Sequence, residues 1–155
     1  MAALLETQTI VQVGLIVKDI EKTKKKWAEF LGVPVPATVQ AGDYETTKTK
    51  YKGKPAPKAK CQMAFFDAGP GMQLELIQPN GEKSTWQDFL DKNGEGIHHI
   101  AFKVNGTEKI LENCREKGIK CVQQGKYGDA GGEYAYLDTV KDLKCIVETL
   151  ESYSK

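Results

Sequence analysis

A chain of 155 residues with 40% hydrophobic and 28% charged residues is composed as an ordinary soluble globular protein, one domain or two fused half-units around a sizeable core. Its net charge of +1 supplies no general field for nucleic acid or a membrane surface. The opening MAALLETQTIVQ has no basic stretch leading into a long apolar one, and no segment approaches the roughly 18 apolar residues of a membrane span, so a cytoplasmic protein without nucleic-acid or membrane partners is expected.

Residues 1–8 read as a disordered lead-in. Val11 to Val17 reads as a strand, and Asp19 as the N-cap of a helix that stops at Gly32-Val33-Pro34. Lys22, Lys24, Lys25 and Lys26 lie on that helix as a solvated face. The polar, lysine-rich run from Ala41 to Ala59 suggests a short strand over Tyr44 to Tyr51 and then an exposed loop broken by Gly53, Pro55 and Pro57. Cys61 to Phe66 and Met72 to Ile77 are strands joined by the turn Asp67-Ala68-Gly69-Pro70-Gly71. Ser84 opens a connecting helix through Trp86, Phe89 and Leu90 that ends at Asn93-Gly94. Then come a strand from Ile97 to Val104, a helix from Thr107 to Lys117 stopped by Gly118, and a strand from Ile119 to Gln123. A Gly128 to Gly132 loop follows, and strands over Tyr134 to Leu137 and Lys144 to Leu150 complete the chain. Cys61, Cys114, Cys121 and Cys145 show no CxxC spacing and read as small reduced thiols.

The order repeats. QVGLIVKDIEK from Gln12 aligns with HIAFKVNGTEK from His99, and LELI around Glu75 aligns with VETL around Glu148. This divides the chain into a first β-α-β-β-β module at 9–80, a connecting helix at 81–95 and a second module at 96–151. The expected fold class is α+β: two paired modules making a curved eight-stranded cup with helices on its convex side. Strand alternation puts Val13, Leu15 and Val17, with Ile100, Phe102 and Val104, under the helices. Gln12, Glu75, His99 and Glu148 fall on the other face. His98 and His99 are adjacent and so point to opposite faces, and alignment with Gln12 selects His99.

Mid-strand glutamates flanked by apolar residues are costly to bury unless a partner or a cation meets them. Three oxygen donors and one imidazole suit a divalent Zn, Mn, Co or Ni ion, with water or substrate oxygens completing the shell. Glutamine in first place distinguishes the set from the two-histidine, one-carboxylate triad of non-haem iron oxygenases. Such an ion polarises a carbonyl while a neighbouring glutamate moves a proton at the adjacent carbon. Glu148 is the first choice as base and Glu75 the second.

The segments VGLIVKDIEK, QLELIQP, FLDKNGEGIHHIAFKV, GDAGG and LKCIVETLE resemble, in order, the vicinal oxygen chelate (glyoxalase) superfamily, and within it methylmalonyl-CoA epimerases. The resemblance covers Gln12 to Glu151. It implies the paired modules, a homodimer, one divalent metal per cup and ligands at Gln12, Glu75, His99 and Glu148. Epimerases of this kind usually begin the ligand set with histidine. The set with glutamine first is that of the animal type of lactoylglutathione lyase, which makes such a lyase the runner-up to an epimerase or isomerase. The epimerases' second base, on the strand before that of Glu75, falls between Lys58 and Gln62 with Lys58 as the first choice, and no carboxylate stands there; the arginine with which lactoylglutathione lyases hold glutathione falls at Ile16. Lys48, Lys50, Lys52, Lys54, Lys58 and Lys60 suit an anionic thioester or sugar derivative, or form a solvated loop. Gly131-Gly132 reads as a backbone anion contact or a simple turn. The non-enzymatic alternative on the same fold is a protein that sequesters a small molecule without turnover.

Overall fold

The computed structural model describes residues 3–153. Strand β1 (Ile10–Ile16) leads into helix α1 (Ile20–Leu31), whose N-cap Asp19 accepts from Lys22 N at 3.1 Å. Gly32 ends the helix in the left-handed conformation at φ 69°, which a residue without Cβ adopts at no steric cost. The short β2 (Val39–Gln40), α2 (Tyr44–Thr47), β3 (Lys50–Tyr51) and β4 (Lys54–Pro55) come next. Two seven-residue strands, β5 (Cys61–Asp67) and β6 (Gln73–Pro79), complete the first half. Helix α3 (Thr85–Asn93), N-capped by Ser84 accepting from Gln87 N at 3.0 Å, connects to the second half. That half runs β7 (Gly96–Lys103), α4 (Thr107–Glu116), β8 (Cys121–Tyr127), β9 (Gly132–Leu137), α5 (Val140–Leu143) and β10 (Ile146–Ser152).

All ten strands form one sheet in the order β2-β5-β6-β1-β7-β10-β9-β8-β3-β4. Its centre is the antiparallel pair β1/β7, flanked by β6 parallel to β1 and β10 parallel to β7. The halves are therefore related by a pseudo-two-fold axis through the β1/β7 seam, as the duplicated sequence predicts. Eight strands are the expected cup. The other two, β3 and β4, form a small hairpin on the edge of β8, where the sequence suggested one strand and a loop. Because β2 pairs on β5 at one edge and β3 on β8 at the other, the short run 41–49 ties the two edges together.

The core has two layers on the helix face. Val17, Ile20, Ala28, Ala64, Phe66 and Leu76 pack under α1, and Val104, Ile110, Cys114, Leu137 and Val147 under α4. Leu4 and Leu5 pack against the second of these layers. Helix α3 is the exception to the convex placement. Its Trp86 packs with Ile16, Cys61, Ile77 and Tyr136, residues whose strand parity matches Gln12, Glu75 and Glu148, so α3 plugs the donor side of the sheet. Among the described residues no helix is long and apolar enough to cross a membrane.

Helix α4 has Gly106 at its N-cap and no capping side chain of its own. Glu151 on β10 supplies one from across the fold, accepting from Gly106 N at 2.9 Å, Thr107 N at 2.9 Å and the Thr107 hydroxyl at 2.6 Å. The Thr107 hydroxyl bond, then the two backbone donors, hold its carboxyl below the ordinary 4.5. A carboxyl depressed in the folded state stabilises above the unfolded pKa, and that contribution disappears as pH falls through the folded one. Glu151→Gln should lower stability by about 1 kcal/mol at pH 7. Urea unfolding curves of variant and parent should converge as pH drops below 4.5.

Candidate metal centre

The four sequence-selected residues meet at the seam. Gln12 lies on β1 and His99 on β7, while Glu75 on β6 sits beside Gly14 and Glu148 on β10 beside Ala101. The register is the same in both halves, so each glutamate stands two residues along from the Gln12 or His99 of its own module. Across the seam His99 faces Gly14 and Gln12 faces Ala101. These are the two smallest side chains available, and the larger partners need that room. A Cβ added at Gly14 would lie 2.0 Å from His99 Cε1.

His99 Nε2 is 3.0 Å from Glu148 Oε2, 3.5 Å from Glu75 Oε1 and 3.0 Å from Gln12 Oε1. The Gln12 amide oxygen is itself 3.1 Å from the Glu148 oxygen and 3.3 Å from the Glu75 oxygen. All four residues are buried, His99 fully and Glu75, the most open, only 7% exposed. The other end of the Gln12 amide meets the Gln73 side chain, 2.7 Å from its Oε1.

Three oxygens and a ring nitrogen aimed at one another in a dry interior repel unless positive charge lies among them. The Gln12 amide can meet this cluster either way round: its oxygen turned inward is a fourth donor for a cation, and its nitrogen turned inward donates to His99 Nε2 at 3.0 Å, Glu148 Oε2 at 3.1 Å and Glu75 Oε1 at 3.3 Å. Spacing agrees. Donors held at about 2.1 Å from one divalent ion are about 3.0 Å apart at right angles and about 3.4 Å apart at tetrahedral angles. Among the described residues no group of three His, Cys, Asp or Glu side chains stands in a metal-holding arrangement.

The charge balance without an ion follows from burial. Burial pushes the Glu75 carboxyl up to about 8, with Glu148 adding to the rise and His99 opposing it. Burial draws His99 down, yet the Glu148 and Glu75 carboxylates outweigh it and hold the imidazole above its usual range. The cluster therefore keeps protons where an ion would sit, and ion and protons compete for the same lone pairs.

His98 overturns the expectation of opposite faces. Gly14 pairs with His99 but Leu15 pairs with Ile97, so β7 carries a bulge with His98 as its extra residue. A bulge re-aims side chains, and here both imidazoles point inward with their Nδ1 atoms 2.9 Å apart. Burial, and next His99, push His98 well below its usual pKa, so it is neutral. Tyr136 was also not singled out by sequence. Its ring centroid lies 5.1 Å from that of His99, and its hydroxyl accepts from Trp86 Nε1 at 2.9 Å. The remaining sequence candidates stand apart from the cluster. Lys58 is exposed, and its backbone carbonyl accepts from Asn80 Nδ2. Ile16 is fully buried against the α3 plug. In the lysine-rich run, Lys48 pairs with Glu45 and Lys60 with Asp43. Gly132 is a glycine for packing, since a Cβ there would lie 2.2 Å from the Tyr127 ring and 2.5 Å from Glu151 O.

Residues 11–136 match the Glyoxalase/Bleomycin resistance protein/Dioxygenase superfamily, and the chain belongs to it. It is 27% identical to the ethylmalonyl-CoA/methylmalonyl-CoA epimerase of Cereibacter sphaeroides, over 88% of this chain and 92% of that one. It is 32% identical to an uncharacterized Bacillus subtilis protein, but over 59% of this chain and 66% of that protein, just under two thirds of its length. The fold is that of methylmalonyl-CoA epimerase from Mycobacterium tuberculosis, with a TM-score of 0.65 at 20% identity over 98% of this chain and 93% of that one.

Gly14→Ala forces a methyl group into the His99 ring. It should destabilise the protein by about 1–3 kcal/mol, the usual scale of overpacking, as read from urea denaturation midpoints. Ala101→Gly, which relieves no clash, should not shift the His99 side-chain NMR resonances, whereas Gly14→Ala should.

Proposed function

We propose that this chain is a divalent-metal-dependent epimerase of an acyl-CoA thioester of the methylmalonyl type, moving a proton at the carbon beside the thioester carbonyl. One observation carries the reading: Gln12, Glu75, His99 and Glu148 gather about a common buried point at spacings of 3.0–3.5 Å, where the Gln12 amide can present its oxygen. Support comes from a relative of nearly the same extent that is an epimerase of ethylmalonyl-CoA and methylmalonyl-CoA. A Zn, Co, Ni or Mn ion fits the donor set. When bound there, it supplies positive charge beside a substrate carbonyl and stabilises the negative charge that proton removal develops.

The rest of the work falls to the chain. An amide oxygen such as that of Gln12 is too weak a base to take a proton from carbon, and His99 has its one free lone pair, on Nε2, directed into the donor cluster. Glu148 directs Oε2 into the cluster and keeps its second carboxylate oxygen to take the proton, as general base. Glu75, from the other module, is the carboxylate on the opposing side of the pseudo-two-fold axis and returns a proton from there. No carboxylate stands between Lys58 and Gln62, where the resemblance to epimerases puts a second base, and Lys58 is exposed. Burial of the donors keeps bulk water from competing for either proton. The lysines from Lys48 to Lys60 give the β3–β4 side of the cup a positive rim for the phosphates of a CoA thioester.

Gln12 in first place favours a second reading, a lactoylglutathione lyase. Two facts weigh against it: Ile16 stands where such lyases carry a glutathione-binding arginine, and the single arginine of the chain, Arg115, lies on α4. As a working unit we propose a cytoplasmic homodimer, the pairing covering apolar surface such as Phe30, which is 82% exposed. Sedimentation at micromolar concentration should then give one species of twice the 17.2 kDa chain mass; a clean monomer refutes the pairing.

Metal-loaded protein should exchange the proton at the branched carbon of methylmalonyl-CoA with D₂O. Glu148→Gln keeps an oxygen donor but removes the base, and exchange should fall by roughly 10²-fold or more while metal content holds. Undiminished exchange with metal retained would remove Glu148 from the mechanism. Turnover of the hemithioacetal of methylglyoxal and glutathione in place of the thioester would select the lyase, and binding of either compound without turnover a sequestering protein.

A further inference from the structure

His98 does something that nothing above requires of it. The β7 bulge turns it inward beside His99, where it is 1% exposed, and its ring is fixed by edge-on contacts with Phe89 at 5.5 Å and Tyr136 at 5.0 Å between centroids. Its Nδ1 lies 2.9 Å from His99 Nδ1, with the two rings nearly perpendicular at 87°. Its Nε2 turns toward the backbone of Thr85 at the start of α3 without closing a full hydrogen bond.

Two nitrogens at hydrogen-bond distance must share one proton, and the other end of His99 decides which of them holds it. An imidazole that gives its Nε2 lone pair to a cation carries its proton on Nδ1. His99 Nδ1–H then has one acceptor within reach, the bare Nδ1 of His98, and His98 must carry its own proton on Nε2, facing Thr85. The outer nitrogen of a metal-binding histidine is usually satisfied by a carboxylate, a carbonyl or water, which sets tautomer and ring orientation. Here a second imidazole, brought round by one extra residue in a strand, occupies that place.

We infer that His98 is a positioning residue for the metal centre: its Nδ1 accepts the His99 Nδ1 proton, and so holds His99 in the tautomer and orientation that present Nε2 to the ion. The inference rests on His99 being a metal donor, as proposed above. It predicts that shape at position 98 is not enough. His98→Asn puts an amide oxygen near the place of Nδ1 and preserves the acceptor, whereas His98→Phe fills the space and leaves the His99 N–H buried and unpaired.

The test uses Zn²⁺ alone and two readouts. In the ¹⁵N long-range spectrum of the Zn²⁺-loaded protein, His99 should be protonated on Nδ1 and His98 on Nε2. Competition titrations with a chelator should show Zn²⁺ affinity about tenfold to a hundredfold weaker in His98→Phe, with His98→Asn recovering most of the loss. A folded His98→Phe protein that binds Zn²⁺ as tightly as the parent overturns the inference. So does a spectrum with the His98 proton on Nδ1, or a His98→Asn protein as weak as His98→Phe. A parent chain that takes up no Zn²⁺ refutes the metal centre itself, a failure distinguishable because it precedes any difference among the variants.

Discussion

Everything in this fold turns on placing two carboxylates and a carboxamide each within 3.5 Å of one imidazole nitrogen where water does not reach. Such a cluster is an unfavourable thing to build. Its members reach the spot only because strong backbone ladders on either side of the β1/β7 seam leave them no other place. Protons relieve part of the repulsion, which is why Glu75 stays protonated well into the neutral range. A cation would relieve more, and would displace those protons as it entered. The fold thus stores the unfavourable energy of the cluster against the packing beneath α1 and α4.

Duplication makes the convergence economical. One strand–helix–strand pattern, used twice and joined antiparallel, sends equivalent residues to one axis. Symmetry stops where function needs asymmetry: Gln12 opposes Ala101, but its counterpart His99 needs the still smaller Gly14 and a bulge beside it. The bulge also brings His98 inward, so a single inserted residue makes room for the ring and supplies the group that meets its outer nitrogen. The two modules end as a neutral amide on one side and a paired imidazole on the other, each with its own glutamate.

The repeat, the order of the long strands and of α1, α3 and α4, the Asp19 cap and the meeting of Gln12, Glu75, His99 and Glu148 were legible in the sequence, because each depends on local chemistry or on a period that duplication doubles. The short elements were not, and Tyr44–Thr47, expected as a strand, is helix α2. Three features in particular escaped. His98 could not be placed by alternation, since alternation assumes an unbroken ladder and the bulge is decided by the opposing Gly14, far away in the chain. The β3–β4 hairpin depends on the free edge of β8, and no pattern within 50–55 announces a partner that distant. Glu151 looked like the polar end of a strand. Its role as the cap of α4 exists only because the helix starts at Gly106, which has no side chain to cap itself. Each feature is a relation between modules, invisible to a reading that treats one module at a time.

The same relations bear on how a substrate meets the donors. With the cluster at most 7% exposed, nothing bulky reaches it through the sheet. Helix α3 closes one end of the donor face with Trp86 locked onto Tyr136, a contact within the buried aromatic cluster. The 41–49 run closes across the edges with far less. Its flanking strands β2 and β3 are two residues each, and its own fastening to β8 is the approach of Thr47 and Thr49 to Gly125, where an added Cβ would lie 3.2–3.3 Å from both. Elements with few ladder bonds open at low free energy while the core around them stays folded. The donors are held by seven- and eight-residue strands of the sheet, whereas the 41–49 run is flanked by two-residue strands, so the two rest on ladders of very different extent.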